Sequence, residues 1–252
     1  MEGTPSVNRN VFAILLAISI LHLVFAFTVL LIFRLNTLGE ISFSPMADGF
    51  TFFLIFFQVA LFAVAIYAGL YLGRSVGLGA PLLEGWAKGE PVRERTVSAL
   101  KIALAIGLGV AAAKYLLDLV VFSPFVPATL STWRQVPPMF LLPIPFQQGI
   151  GDEIVYRLFW MTVIVWIIWK IRGSGDAPLN DSTYWAGILL VGILSIPGLF
   201  LGGITGLTLL QYAAIILAGA IPFGWLYWKK GIESALVAHF VSSVALVLVS
   251  LG

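Results

Sequence analysis

Cysteine is absent from these 252 residues, which excludes a disulfide framework, a thiol nucleophile, a thiolate metal site and a C-terminal prenylation box. Charge is scarce as well. Asp, Glu, Lys and Arg make up 10% of the chain, and a formal net charge of +2 is too small to point to nucleic acid. Histidine occurs only at His22 and His239, so a three-ligand zinc site would need an unusual share of carboxylates, and neither metal nor cofactor is expected. The glycines of 73–96 do not form G-x-x-x-x-G-K-[ST]. Ser195, Ser242 and Ser243 lack a G-x-S-x-G turn, although Ser243 stands at i, i+4 from His239, within reach of a hydrogen bond.

What is abundant is apolar. The chain is 60% hydrophobic with a mean hydropathy of +1.02, a level that belongs in lipid. Barrel strands would alternate in polarity, whereas here the apolar runs are continuous and long enough, at roughly 20 residues, to cross a hydrocarbon core of about 30 Å as helices. The expected fold class is all-α, a polytopic membrane bundle of about seven transmembrane helices, at 11–33, 50–72, 98–122, 151–170, 182–200, 205–228 and 232–251. The first run is too long for a signal-peptide core and lacks a small-residue cleavage site, so it reads as a retained span. Residues 1–72 form two N-terminal helices, 73–97 a cytoplasmic loop with a short amphipathic helix near 81–86, and 98–252 a five-helix core. With the N-terminus inside, Arg9, Arg74, Lys88, Arg93, Arg95, Lys170, Arg172, Lys229 and Lys230 collect on the inner side. Arg34 and Arg134 fall outside, which places the chain as a multi-pass protein of the plasma membrane with a cytoplasmic N-terminus.

The polar residues inside these spans are the candidates for function, because an acid in hydrocarbon costs about 2.5 to 3.5 kcal/mol and normally faces a bundle interior or a wet cavity. GIGDEIVYRLFWMTVIVWIIWK, residues 149–170, holds Asp152, Glu153 and Arg157 at the mouth of the fourth span. Pro143, Pro145, Gly149 and Gly151 predict that this helix starts near Gly151, with both acids in its first turn, where the helix dipole favours negative charge. Glu153 and Arg157 are spaced for an intrahelical ion pair, while Asp152 points about 100° away, free to bind or activate water. A structural charge network has the same spacing. On the third span, Lys114 and Asp118 share a face and read as a neutralising pair, with a substrate contact as the alternative. His22 reads as a packed or interfacial residue. Upright helices leave Glu153 about 26 Å from Lys170 and His239 about 14 Å from Lys230, so some distortion must bring the two to one depth.

DEIVYR resembles the E-E-x-x-x-R first motif of the CPBP family, also called the Abi or type II CAAX prenyl protease family, intramembrane endopeptidases of the glutamate type. VGLGAPLLEGW, YRLFWMTVIVWIIW, YWAGILLVGILSIP and GWLYWKKGIESALVAHFVSS resemble the family's segments in the family's order, over about residues 70–250. The resemblance implies that the first acid works with the histidine of an F-x-x-x-H second motif to activate water, while H-x-x-x-N or H-x-x-x-D helps to hold the oxyanion. Asp152 stands at the first acid, one methylene short, and Glu153 and Arg157 match the second acid and the arginine. The second motif falls on VGILS, with Val191 for phenylalanine and Ser195 for histidine; the third falls on HFVSS, with His239 retained and Ser243 for Asn or Asp.

A serine hydroxyl does not exchange protons near neutral pH as an imidazole does, and losing a general acid or base forfeits about 10²- to 10⁴-fold in rate. The shorter acid moves the carboxylate by about an ångström, worth a further 10²-fold or so. The expected function is therefore an intramembrane peptidase acting on a membrane-embedded or lipidated peptide through Asp152, Glu153, Arg157 and His239. The alternatives are an inactive member that binds a membrane peptide or partner helix in the same cavity, and a small ion- or proton-coupled transporter.

Overall fold

A backbone out of reach of water must bond to itself, and every regular element among the described residues is helical. The computed structural model describes residues 7–38, 45–173, 179–196 and 203–252. Glu40 and Pro197 lie outside the described residues, as do the side chains of Arg34 and Asp48. The elements are α1 (Arg9–Leu38), α2 (Pro45–Val76), α3 (Pro81–Ala87) and α4 (Arg93–Leu116), the last continued by a π-helical turn, Leu117–Phe122. Short turns follow at α5 (Thr129–Trp133), α6 (Pro138–Leu141) and α7 (Ile144–Phe146). A π-helical stretch, Gln147–Met161, then runs into α8 (Thr162–Ile171). The chain ends in α9 (Asp181–Leu194), α10 (Gly206–Lys230) and α11 (Ile232–Leu251).

Among the described residues, six helices are long and apolar enough to cross a membrane: Arg9–Val29, Phe53–Val76, Arg93–Phe122, Pro138–Ile171, Gly206–Lys230 and Ile232–Leu251. The chain is thus an all-α helical bundle with several membrane spans. The surface agrees with lipid as solvent. Leu21, Phe56, Val64, Leu108 and Leu248 are exposed, whereas Ser19, Glu153, Arg157, Thr162, His239, Ser242 and Ser243 are buried.

Two expected spans differ at their ends. The described part of the fifth, expected at 182–200, is a helix of 14 residues that ends at Leu194 with Ser195 as its C-cap, and residues 197–200 lie outside the described residues. The fourth does not begin near Gly151. Pro138 opens α6, and Pro143 and Pro145 are the N-cap and second residue of α7, where a missing N–H breaks no helical bond, so the helical path opens at Pro138. Its glycines serve contact instead of breaking the helix: a Cβ on Gly149 would lie 2.8 Å from Phe240 Cα on α11. Asp152 and Glu153 consequently sit near the middle of the Pro138–Ile171 span and not in a first turn. Glu153 and His239 meet all the same, with Glu153 Oε1 and His239 Nδ1 2.7 Å apart.

α11 is the centre of the bundle, packed most extensively on α4 and then on the π-helical stretch and α10. Glycine makes the closest approaches. A Cβ on Gly107 of α4 would stand 2.5 Å from the Ala238 carbonyl oxygen, and one on Gly69 of α2 would meet the Leu158 carbonyl. These contacts fall on the neighbours of His239 and Arg157, so helix packing sets the position of both side chains. At the other end, Gly231 turns α10 into α11 at φ +93, Ile232 N–H donates to the Gly79 carbonyl at 3.0 Å, and Leu83 N–H donates to Glu233 Oε1 at 2.8 Å. The loop glycines and the helix start at Glu233 thereby form one clip.

Candidate functional site

The π-helical stretch directs two neighbouring acids to different surroundings. Glu153 is fully buried, and its Oε1 receives His239 Nδ1 at 2.7 Å and Arg157 Nη1 at 3.3 Å. Its Oε2 has no hydrogen-bond partner. Asp152 instead lines a cavity of about 270 Å³ between α4, the π-helical stretch, α9, α10 and α11, and makes no ion pair or hydrogen bond among the described residues. Arg157, Ser195 and His239 line the same cavity. An orphaned buried acceptor costs about 1–3 kcal/mol, and Glu153 tolerates one while holding a histidine and an arginine on its other oxygen.

The imidazole is fixed from two directions. Glu153 holds Nδ1, and the Phe223 ring stacks on the imidazole with centroids 4.5 Å apart at 27°. A carboxylate that accepts from Nδ1–H leaves Nε2 as the nitrogen with a free lone pair, and His239 is part of the cavity lining. Arg157 lies 5.9 Å from the same Phe223 ring, so the histidine and the arginine adjoin one aromatic side chain. The cavity lining carries Lys114 and Arg157 with Asp118 and Asp152, and Glu153 stands behind it.

Several expected contacts are not made. Lys114 does not pair with Asp118. Asp118 Oδ1 accepts from Thr129 N–H at 2.9 Å and Gln211 Nε2 at 2.8 Å, and Oδ2 accepts from Leu130 N–H at 2.8 Å. Two backbone donors at the start of α5 and one amide fill the carboxylate, and Lys114 turns into the cavity. Ser243 does not bond to His239; its hydroxyl donates to Gln148 Oε1 at 2.7 Å. Neither Ser243 nor Val191 lines the cavity. Val191 is buried in the core, and its carbonyl accepts the Ser195 hydroxyl at 2.9 Å. His22 is buried beside Phe62 with Nδ1 unbonded, away from the cavity.

Sequence reasoning placed Asp152, Glu153, Arg157 and His239 as candidates and held a substrate contact at Lys114 only as an alternative, and it passed over Phe223 and Gln148. A lysine within an apolar span carries its own signal, since such a charge faces a cavity unless something neutralises it. Gln148 and Phe223 carry none, because a glutamine at a helix start and a phenylalanine in a span are ordinary. No family model matches this chain, and neither does any curated protein or solved structure.

Proposed function

We propose that this chain is an intramembrane peptidase of the CPBP type, which hydrolyses a peptide bond of a membrane-embedded or lipidated substrate with a water activated inside the bundle. The observation that carries the reading is the 2.7 Å bond between His239 Nδ1 and Glu153 at the wall of a cavity that Asp152 also lines. A carboxylate that fixes the tautomer of a histidine leaves the other nitrogen as general base. Nε2 takes a proton from water, the hydroxide oxygen bonds to the substrate carbonyl carbon, and the carbonyl π pair moves onto oxygen. When that pair returns, the C–N bond breaks and His239 passes its proton to the departing amine. Asp152 positions the water by accepting its second hydrogen. The water-poor bundle strengthens each of these interactions. The same reading puts the chain in the plasma membrane with its N-terminus in the cytoplasm, on the charge bias of its loops.

A second reading, an inactive relative that binds a membrane peptide or partner helix, is favoured by the state of two hydroxyls. Ser195 donates to its own helix and Ser243 donates to Gln148, so Ser195 does not replace the acid–base histidine, nor Ser243 the oxyanion-holding residue, that the resemblance places there. Reconstitution in lipid with a library of hydrophobic peptides separates the two. An active chain cleaves, and Asp152→Ala lowers the rate by about 10²-fold, the low end for a lost acid or base because His239 remains. If wild type cleaves nothing and Ser195→His gains cleavage, the chain is a disarmed peptidase.

A further inference from the structure

Lys114 of α4 lines the cavity, and its ammonium has no bonded acceptor among the described residues. Asp118, the acid one turn on, is filled by Thr129, Leu130 and Gln211. Arg157, the other cation of the wall, is committed to Glu153. Asp152 balances the charge through space but forms no ion pair with Lys114 among the described residues. An ammonium offers three N–H donors and no acceptor, so in an apolar bundle its place implies an acceptor that arrives from elsewhere.

The position is built by its neighbours. On α10, a Cβ at Gly219 would come 3.0 Å from Lys114 Cε and 3.1 Å from Nζ, so the absence of a side chain there is what admits the ammonium. The Phe223 ring lies 5.9 Å from Nζ, and the same ring stacks on His239. The cation and the base therefore adjoin one aromatic ring and line one cavity. Ser243, which stands where the resemblance puts an oxyanion-holding residue, has its hydroxyl turned to Gln148 and lies outside the cavity lining.

The geometry points to Lys114 as the oxyanion donor of this cavity, the catalytic residue whose N–H groups receive the negative oxygen formed when water adds to the substrate carbonyl. The assignment rests on the peptidase reading. As the water oxygen bonds to carbon and its proton passes to His239, the carbonyl oxygen gains a full charge, and a donor placed for that charge acts on the transition state more than on the bound amide.

The test compares two probes in lipid nanodiscs: an N-capped leucyl-leucine phosphinate, which carries the tetrahedral anion, and the leucyl-leucine amide of equal length. Lys114→Met should weaken phosphinate binding by about 100-fold, the loss of one such donor, and leave amide binding within about twofold. Gly219→Ala, which keeps the lysine and favours the helix, should weaken the phosphinate alone by pressing a methyl onto the ammonium. Equal loss of both probes would make Lys114 structural, and unchanged phosphinate binding would remove it from the site; either overturns the assignment. Cleavage by wild type with Lys114→Met unimpaired also overturns it while the peptidase reading stands. Charge-selective binding in a wild type that cleaves nothing removes the peptidase reading and keeps the anion site.

Discussion

Glu153→Leu should lower stability by about 3–5 kcal/mol, because it leaves the buried guanidinium of Arg157 and the ring of His239 without their shared acceptor. A buried charge stripped of its partner keeps its desolvation cost and loses the attraction that offset it. Adding Arg157→Met to Glu153→Leu should recover most of the loss, since an apolar pair of similar volume suits a bundle in lipid better than one orphaned ion. Activity should not return with stability, because the double variant still lacks the acceptor that fixes the His239 tautomer. Midpoints of unfolding in mixed micelles, read beside peptide hydrolysis, separate these two effects. Full recovery of hydrolysis in the double variant would remove Glu153 from the chemistry.

Gly107→Leu should cost more than the roughly 1–3 kcal/mol of ordinary overpacking. The atom its Cβ would meet at 2.5 Å is the Ala238 carbonyl oxygen, part of the α11 backbone, which has no rotamer with which to move aside. Separating α4 from α11 would also shift His239, the next residue, from Glu153, so hydrolysis should fall with stability. Gly109 lies on the same helix with nothing within 4 Å of its Cβ position, and Gly109→Leu should stay within about 0.5 kcal/mol of wild type. The two substitutions are chemically identical, so the contrast isolates helix contact from helix propensity. Equal effects at both positions would contradict the packing described for α11.

The spans were legible because hydropathy reports the solvent directly: continuous apolar runs in a chain of mean hydropathy +1.02 have few alternatives to helices in lipid. Their ends were less so. Proline and glycine before Asp152 read as helix breakers, yet proline at a helix start and glycine at a helix contact obey other rules, and here both extend the fourth span. The candidate acids were legible as charges in the wrong solvent, whereas their partners were not. The i, i+4 spacing says which residues lie close, and it foresaw Glu153 with Arg157. It failed for Lys114 with Asp118 and for His239 with Ser243, because donors from α5 and Gln211, and an acceptor on Gln148, compete for those groups from outside the helical turn.

The most direct test is nitrogen NMR of His239 in the lipid-reconstituted protein, with His22→Phe so that a single imidazole is observed. A proton held on Nδ1 by Glu153, a bare Nε2, and loss of that asymmetry in Glu153→Gln are the results expected from the 2.7 Å bond. A proton on Nε2 with Nδ1 bare, or a ring exchanging freely between its two tautomers in the unmutated site, would contradict a base held ready at the cavity wall.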